Sequence, residues 1–177
     1  TLVSADALAD WLSQQPAAIR SLVEAQGFKG DAGECAILPG AGEEAWTVLG
    51  GAPASFGPWD LAGLCARLPA GTYRLDRGSP GDAALGWLLV HYRYDRYRSE
   101  SKDMPQRVLL TPDAAGIAEI VRQAEATALV RDLVNPPAED MGPAELEAVA
   151  KALADAFSAE LRITRGENLQ SVNVKGL

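Results

Sequence analysis

Short runs rich in β-branched and aromatic residues alternate along this chain with longer stretches of helical spacing, and no other feature constrains the fold as much. Strand character is read at Cys35–Leu38, Trp46–Leu49, Thr72–Leu75 and Arg107–Leu110, and again where Leu161 and Ile163 alternate with charged neighbours. The Gly-rich Pro39-Gly40-Ala41-Gly42 between the first two runs predicts a hairpin. Helical spacing opens the chain as two short elements split at Pro16. Leu8, Trp11 and Leu12 share a face on the first, with Ser4 as its expected N-cap, and Ile19, Leu22 and Val23 share one on the second, before a stop at Gly27. The same spacing recurs over Trp59–Leu68, ended by Pro69-Ala70-Gly71, and over Ala83–Arg98, the most apolar helix expected. Thr111-Pro112 is expected to start a long helix that stops at Asn135-Pro136-Pro137, roughly 33 Å at the helical rise. Pro143 then opens a helix whose Leu146, Val149, Ala150, Leu153 and Phe157 form one stripe. This order predicts an α/β fold, a mixed or largely parallel sheet covered by helices.

A length of 177 residues with 47% hydrophobic side chains suffices to bury a core for one domain plus an appendage. The net charge is −8, so the summed field repels a phosphate backbone and an anionic membrane surface; neither nucleic acid nor membrane is an expected partner. No apolar run approaches the roughly eighteen residues of a spanning helix, and the start has no export-signal pattern, so a cytoplasmic location is expected. Thr1 opens the chain without an initiator Met, which fits processing or a longer parent polypeptide. Cys35 and Cys65 lack CxxC spacing and are expected to be reduced and buried.

Few constellations could carry chemistry. Gly40-Ala41-Gly42-Glu43-Glu44-Ala45 fits the G-x-G-x-x-A form of a dinucleotide fingerprint, with Asp60 downstream. Glu43 and Glu44 would face the pyrophosphate, however, and Trp46-Thr47-Val48-Leu49 favours a strand where a helix is needed, so a hairpin turn is expected. His91 is the only histidine, which excludes two-histidine metal sites and Ser-His-Asp arrangements within one copy; it is expected to be a hydrogen-bonded structural residue beside Trp87 and Tyr94. The alternation of Tyr92, Tyr94 and Tyr97 with Arg93, Arg96 and Arg98 is expected to pair with carboxylates at a helix end. Glu139, Asp140, Glu145 and Glu147 flank a helix start, where they serve as caps.

Arg131-Asp132-Leu133-Val134-Asn135-Pro136-Pro137-Ala138-Glu139-Asp140-Met141-Gly142-Pro143 resembles the segment joining the two domains of the leucyl (cytosol) aminopeptidase family. The likeness continues through the Trp11-Leu12 helix, the Pro39-Gly40 loop, Gly71-Thr72-Tyr73-Arg74-Leu75, Ala84-Leu85-Gly86-Trp87, Tyr92-Arg93-Tyr94 and Arg96-Tyr97, covering about Leu8 to Leu169. What the resemblance implies is a two-domain, homohexameric hydrolase that removes N-terminal residues from peptides with two divalent metals, zinc or manganese. It also implies a macro-domain-like N-terminal domain. The family's catalytic patterns, G-K-G-x-x-F-D-T-G-G and N-T-D-A-E-G-R-L, do not occur here; Val174-Lys175-Gly176-Leu177 echoes the first only faintly, and Lys175 receives no role.

The expected organisation is therefore a macro-like domain over 1–112, a connecting helix over 113–135, and a linker with the truncated start of a catalytic domain over 136–177. No catalytic, metal-binding or substrate-binding residue is assigned within the chain, and its expected partner is the missing C-terminal catalytic domain. The stripe on the last helix is expected to fold back or to drive self-association through 143–165. Two competing expectations are an ADP-ribose or nucleotide pocket at the Gly40–Gly42 loop and a stand-alone interaction module.

Overall fold

A computed structural model describes residues 1–40, 46–53, 55–100 and 104–171, with the main chain alone at 167, 170 and 171. The chain divides into two compact units, Thr1–Val130 and Arg131–Leu177.

Among the described residues, the first unit carries five strands and the second none. Leu2–Val3 (β1), Cys35–Pro39 (β2) and Trp46–Gly51 (β3) form a sheet of order β1-β3-β2, with β1 parallel and β2 antiparallel to β3. Gly71–Arg74 (β4) and Arg107–Leu110 (β5) form a parallel pair. The helices of this unit are Ala5–Ser13 (α1), Ala17–Ala25 (α2), Asp60–Arg67 (α3) and Ala84–Leu89 (α4), together with most of Ala114–Val134 (α5). The mixed α/β class expected from the alternation is what the chain adopts.

Strand alternation partitions the core into two clusters. Val3, Ala36, Leu38 and Leu49 point to one face and pack with Val23 and Phe28, under Leu8, Trp11, Leu12 and Ile19 of α1 and α2. Leu2, Cys35 and Val48 point to the other face, against Leu61, Leu64, Cys65 and Leu68 of α3 and its exit and Trp87 of α4. Tyr73 of β4 and Leu109 of β5 join this second cluster, so α3 and α4 hold both sheets on one apolar layer. The close approach of α4 to the start of α3 depends on Gly86: a Cβ there would stand 2.7 Å from the Pro58 carbonyl oxygen and 2.9 Å from the Trp59 Cα.

Several sequence expectations need correction. Ser4 takes the cap position of α1, but its side chain makes no cap hydrogen bond. The helix expected over Ala83–Arg98 ends at Leu89, because the next amides tighten to i−3 partners, His91 onto Leu88 and Tyr92 onto Leu89. Beyond it, Asp95 accepts from Arg93 at 3.0 Å and lies 3.5 Å from Arg98; a pair two residues apart cannot share a helix face, so the arginines organise a turn. The long helix starts at Ala114 and not at Thr111-Pro112, since Asp113 accepts the Gly116 amide at 2.9 Å and is the capping residue. Leu2–Val3, ahead of the expected cap at Ser4, forms a strand that was not expected.

In the second unit, Pro143–Phe157 (α6) begins where Pro143 predicts, and the Glu145 carboxylate accepts the Gly142 amide at 3.0 Å. Leu161 and Ile163 form no strand; the segment has no partner strand among the described residues, and a lone strand leaves its main-chain groups unpaired. Leu146, Leu153 and Phe157 are exposed, Phe157 at 75%.

Candidate functional site

A hydrogen-bonded, part-buried cluster gathers where α4, β5 and the end of α3 meet. The Trp87 carbonyl lies 3.0 Å from His91 Nδ1 and 3.7 Å from the Cys65 thiol, while the Trp87 indole donates to the Arg107 carbonyl at 2.9 Å. The Arg107 amide donates to His91 Nε2 at 3.4 Å, and the Arg107 guanidinium reaches the Leu68 carbonyl. An amide can only donate and a carbonyl can only accept, so the neutral imidazole with its proton on Nδ1 satisfies both neighbours of His91. His91 is thus the structural, hydrogen-bonded residue expected, although its ring turns to β5 and the Tyr94 hydroxyl has no partner among the described residues.

This cluster does not form a nucleophile. Burial pushes the Cys65 thiol up to about 11, against a smaller opposing effect of Arg107, and burial likewise raises Cys35 against Arg67. Both thiols are free; Cys65 is buried as expected, whereas Cys35 is only half-buried. Two of these contacts close a sheet edge: the His91 imidazole and the Trp87 indole satisfy the Arg107 main chain, which points away from β4.

The acidic residues at the start of α6 do not converge on a cation site. Glu145 caps the helix, and Glu147 is held below the usual carboxylate range by hydrogen bonds from Arg165 first and Lys151 second. Among the described residues no group of three or more His, Cys, Asp or Glu side chains is placed to hold a metal ion. The dinucleotide-like Gly40–Ala45 segment lies outside the described residues except for Gly40, and so does Val174–Leu177; the strands flanking the former pair as a hairpin, Pro39 opposite Trp46.

Clefts open on the first unit, two of them broad. One, of about 700 Å³, is bordered by Trp11, Ile19, Phe56, Asp76 and Arg77. The other, of about 570 Å³, lies between β3 and β4, bordered by Trp46, Val48, Gly71, Thr72 and Thr1. Neither brings together an acid, a base and a nucleophile among its lining residues.

Comparison with known proteins supplies what the side chains alone do not. The profile described as M17 aminopeptidase, N-terminal domain, matches residues 1–110. A probable cytosol aminopeptidase of Rhizobium etli is 31% identical over 144 residues, covering 75% of this chain and 28% of that protein. The cytosol aminopeptidase of Coxiella burnetii superposes with a TM-score of 0.83 at 32% identity, covering 97% of this chain and 38% of that one. The bottromycin maturation enzyme BotP, in complex with Mn, matches with a TM-score of 0.67 at 30% identity, over 84% of this chain and 36% of that one. The chain thus spans between a quarter and two-fifths of the length of these relatives. A profile match over more than half of the chain, with relatives at this identity over most of it, shows that it belongs to the M17 aminopeptidase family and carries that family's N-terminal domain.

Proposed function

We propose that this chain is the noncatalytic N-terminal portion of a metal-dependent aminopeptidase that hydrolyses N-terminal residues from peptides, the hydrolytic groups lying in residues outside these 177. The observation that carries this reading is the family match over residues 1–110 in a chain spanning 28% of its curated relative. The chemistry agrees with it. Two-metal amide hydrolysis needs carboxylates that hold both ions and cationic groups for the developing oxyanion. The described side chains do not fit such a pair: no three His, Cys, Asp or Glu among them converge, Glu145 being committed to capping, Glu147 to ion pairs and the one histidine to a sheet edge. No step of hydrolysis is therefore assigned to this chain. Its contribution is to present a folded α/β unit and the Arg131–Leu177 unit to the rest of the enzyme.

In this reading residues 136–177 begin the catalytic domain, and the exposed Leu146, Leu153 and Phe157 stripe is the face that the remainder of the enzyme covers. The whole protein is proposed to be a homohexamer; a cytoplasmic location fits relatives described as cytosol aminopeptidases, and no described helix is long and apolar enough to cross a membrane. Manganese or zinc is the expected metal of the whole protein. Nothing in the fold or the comparisons favours the ADP-ribose alternative.

The test is hydrolysis of leucine anilide with added manganese or zinc. The purified 177-residue chain is expected to give the rate of the protein-free blank, and the full-length protein to turn the substrate over. Turnover by the chain alone, abolished by a chelator, would refute the assignment.

A further inference from the structure

Arg107 stands on the outer edge of β5, where its main chain is closed by Trp87 of α4 and by His91 just past that helix. The Gly71 amide donates to the Gln106 carbonyl at 2.9 Å, and Gly71 lies opposite Arg107, so ladder parity turns the amide and carbonyl of Arg107 away from β4. The carbonyl accepts from the Trp87 indole at 2.9 Å, a donor whose state pH does not change. The amide donates to His91 Nε2 at 3.4 Å, and among the described residues it has no second acceptor.

His91 can serve both neighbours in one state only. The end of α4 tightens, the His91 amide donating to the Leu88 carbonyl at 3.1 Å, and the Trp87 carbonyl is left to the imidazole Nδ1 at 3.0 Å and to the Cys65 thiol. That carbonyl requires a proton on Nδ1, and the Arg107 amide requires a lone pair on Nε2. The other neutral tautomer fails both. The imidazolium keeps the bond to Trp87 but sets an N–H against the Arg107 N–H.

Among the described residues no carboxylate faces the ring to hold a charge where it stands. Its neighbours are Arg107 on β5, the Cys65 thiol on α3, and Ile117 and Val121 of α5 across an open groove of about 420 Å³. On the turn after α4, Arg93 and Asp95 pair with each other at 3.0 Å. The groove gives the ring room to turn from β5 while Nδ1 keeps the Trp87 carbonyl.

We propose that His91 is a proton-released latch on the outer edge of β5: the neutral ring closes the Arg107 amide, and protonation turns the ring into the groove beside α5 and opens that amide. The Trp87 indole keeps its bond to the Arg107 carbonyl, so the edge loosens at one residue. The ladder to β4 uses the opposite side of the strand and persists. Leu109 shares the outward parity of Arg107, and its main chain has no partner among the described residues, so the released amide lengthens an edge that is already open. The latch belongs to the first unit alone and does not depend on the aminopeptidase assignment.

The experiment is proton–nitrogen NMR of the 177-residue chain between about pH 8 and about pH 5, the range in which imidazoles change charge. At the upper end the ring nitrogens are expected to report the Nδ1–H tautomer. As the ring charges, the Arg107 amide proton is expected to move upfield with the same midpoint. Its protection factor against exchange should fall about tenfold, the worth of one hydrogen bond. Val108, whose amide lies in the ladder to Gly71, should keep its protection. In His91→Gln the response of Arg107 to pH is expected to vanish. An Nε2–H tautomer at the upper end overturns the proposal, as does a ring that stays neutral throughout or one that charges while the Arg107 amide stays put. A response that persists in His91→Gln belongs to another group and equally overturns it.

Discussion

Gly86 is the single residue on which the packing of α4 against the start of α3 turns. Its amide donates to the Pro58 carbonyl at 2.7 Å, and no side chain fits between them. Gly86→Ala is expected to cost about 1–3 kcal/mol in urea unfolding, the range for forced overpacking, despite the better helix propensity of alanine. His91→Ala takes the imidazole partner from the Trp87 carbonyl and from the Arg107 amide, leaving the Trp87 indole bond in place, and a loss of roughly 1–3 kcal/mol follows from the two hydrogen bonds. The Cys65 thiol adds a pH dependence whose sign is fixed by burial. Its folded pKa, about 11, lies above the unfolded value, so the protonated form is favoured in the folded state. Stability is full below about pH 9 and falls as pH rises towards 11. Cys35 and Tyr73, also raised chiefly by burial, act with the same sign. Alkaline titration of the unfolding midpoint checks this, and Cys65→Ala should flatten the slope. The structural role of His91 was legible in the sequence because it is the only histidine beside a Trp and Tyr face; its partner Arg107 was not, because 16 residues separate them.

At the scale of elements, periodicity located most helices and the four longer strands to within a few residues. Where it failed, the cause is local. The apolar stripe past Leu89 continues in sequence, but Asp95 draws Arg93 and Arg98 into a turn that no helix can hold. β1 is only two residues long and has no pattern of its own; its partner β3 makes it a strand. Leu161 and Ile163 alternate correctly, yet alternation without a neighbouring strand does not form one. Instead Arg165 ties this stretch to α6 through Glu147, whose lowered pKa reflects that bond and the one from Lys151. The tie is present above the unfolded pKa of the carboxylate and is lost as pH falls through the lower folded one, so order at 160–165 should decline on acidification. Backbone chemical shifts across that range in Glu147→Gln at neutral pH should match those of the acidified parent. The exposed stripe of α6 should drive association of the isolated chain: light scattering is expected to show oligomers that Phe157→Ser disperses without loss of helicity, and a strict monomer would contradict it.

For the molecule as a whole, the α/β class followed from the order of runs, but the strand order and the pairing of β1 with β3 did not. Neither can be read from periodicity, because pairing joins residues far apart in sequence, as Gly71 and Arg107 are. The scarcity of some residue types was legible in a different way: the sequence holds one histidine and two cysteines, and among the described residues His91 bonds the main chain at a sheet edge while Cys65 packs in the core. The division of labour proposed for the parent enzyme then rests on where its metal ligands lie. Equilibrium dialysis of the 177-residue chain against manganese and against zinc, followed by elemental analysis after a chelator-free wash, measures this directly. Retention far below one ion per chain is expected if the ligands lie elsewhere in the protein, and two tightly held ions per chain would contradict it.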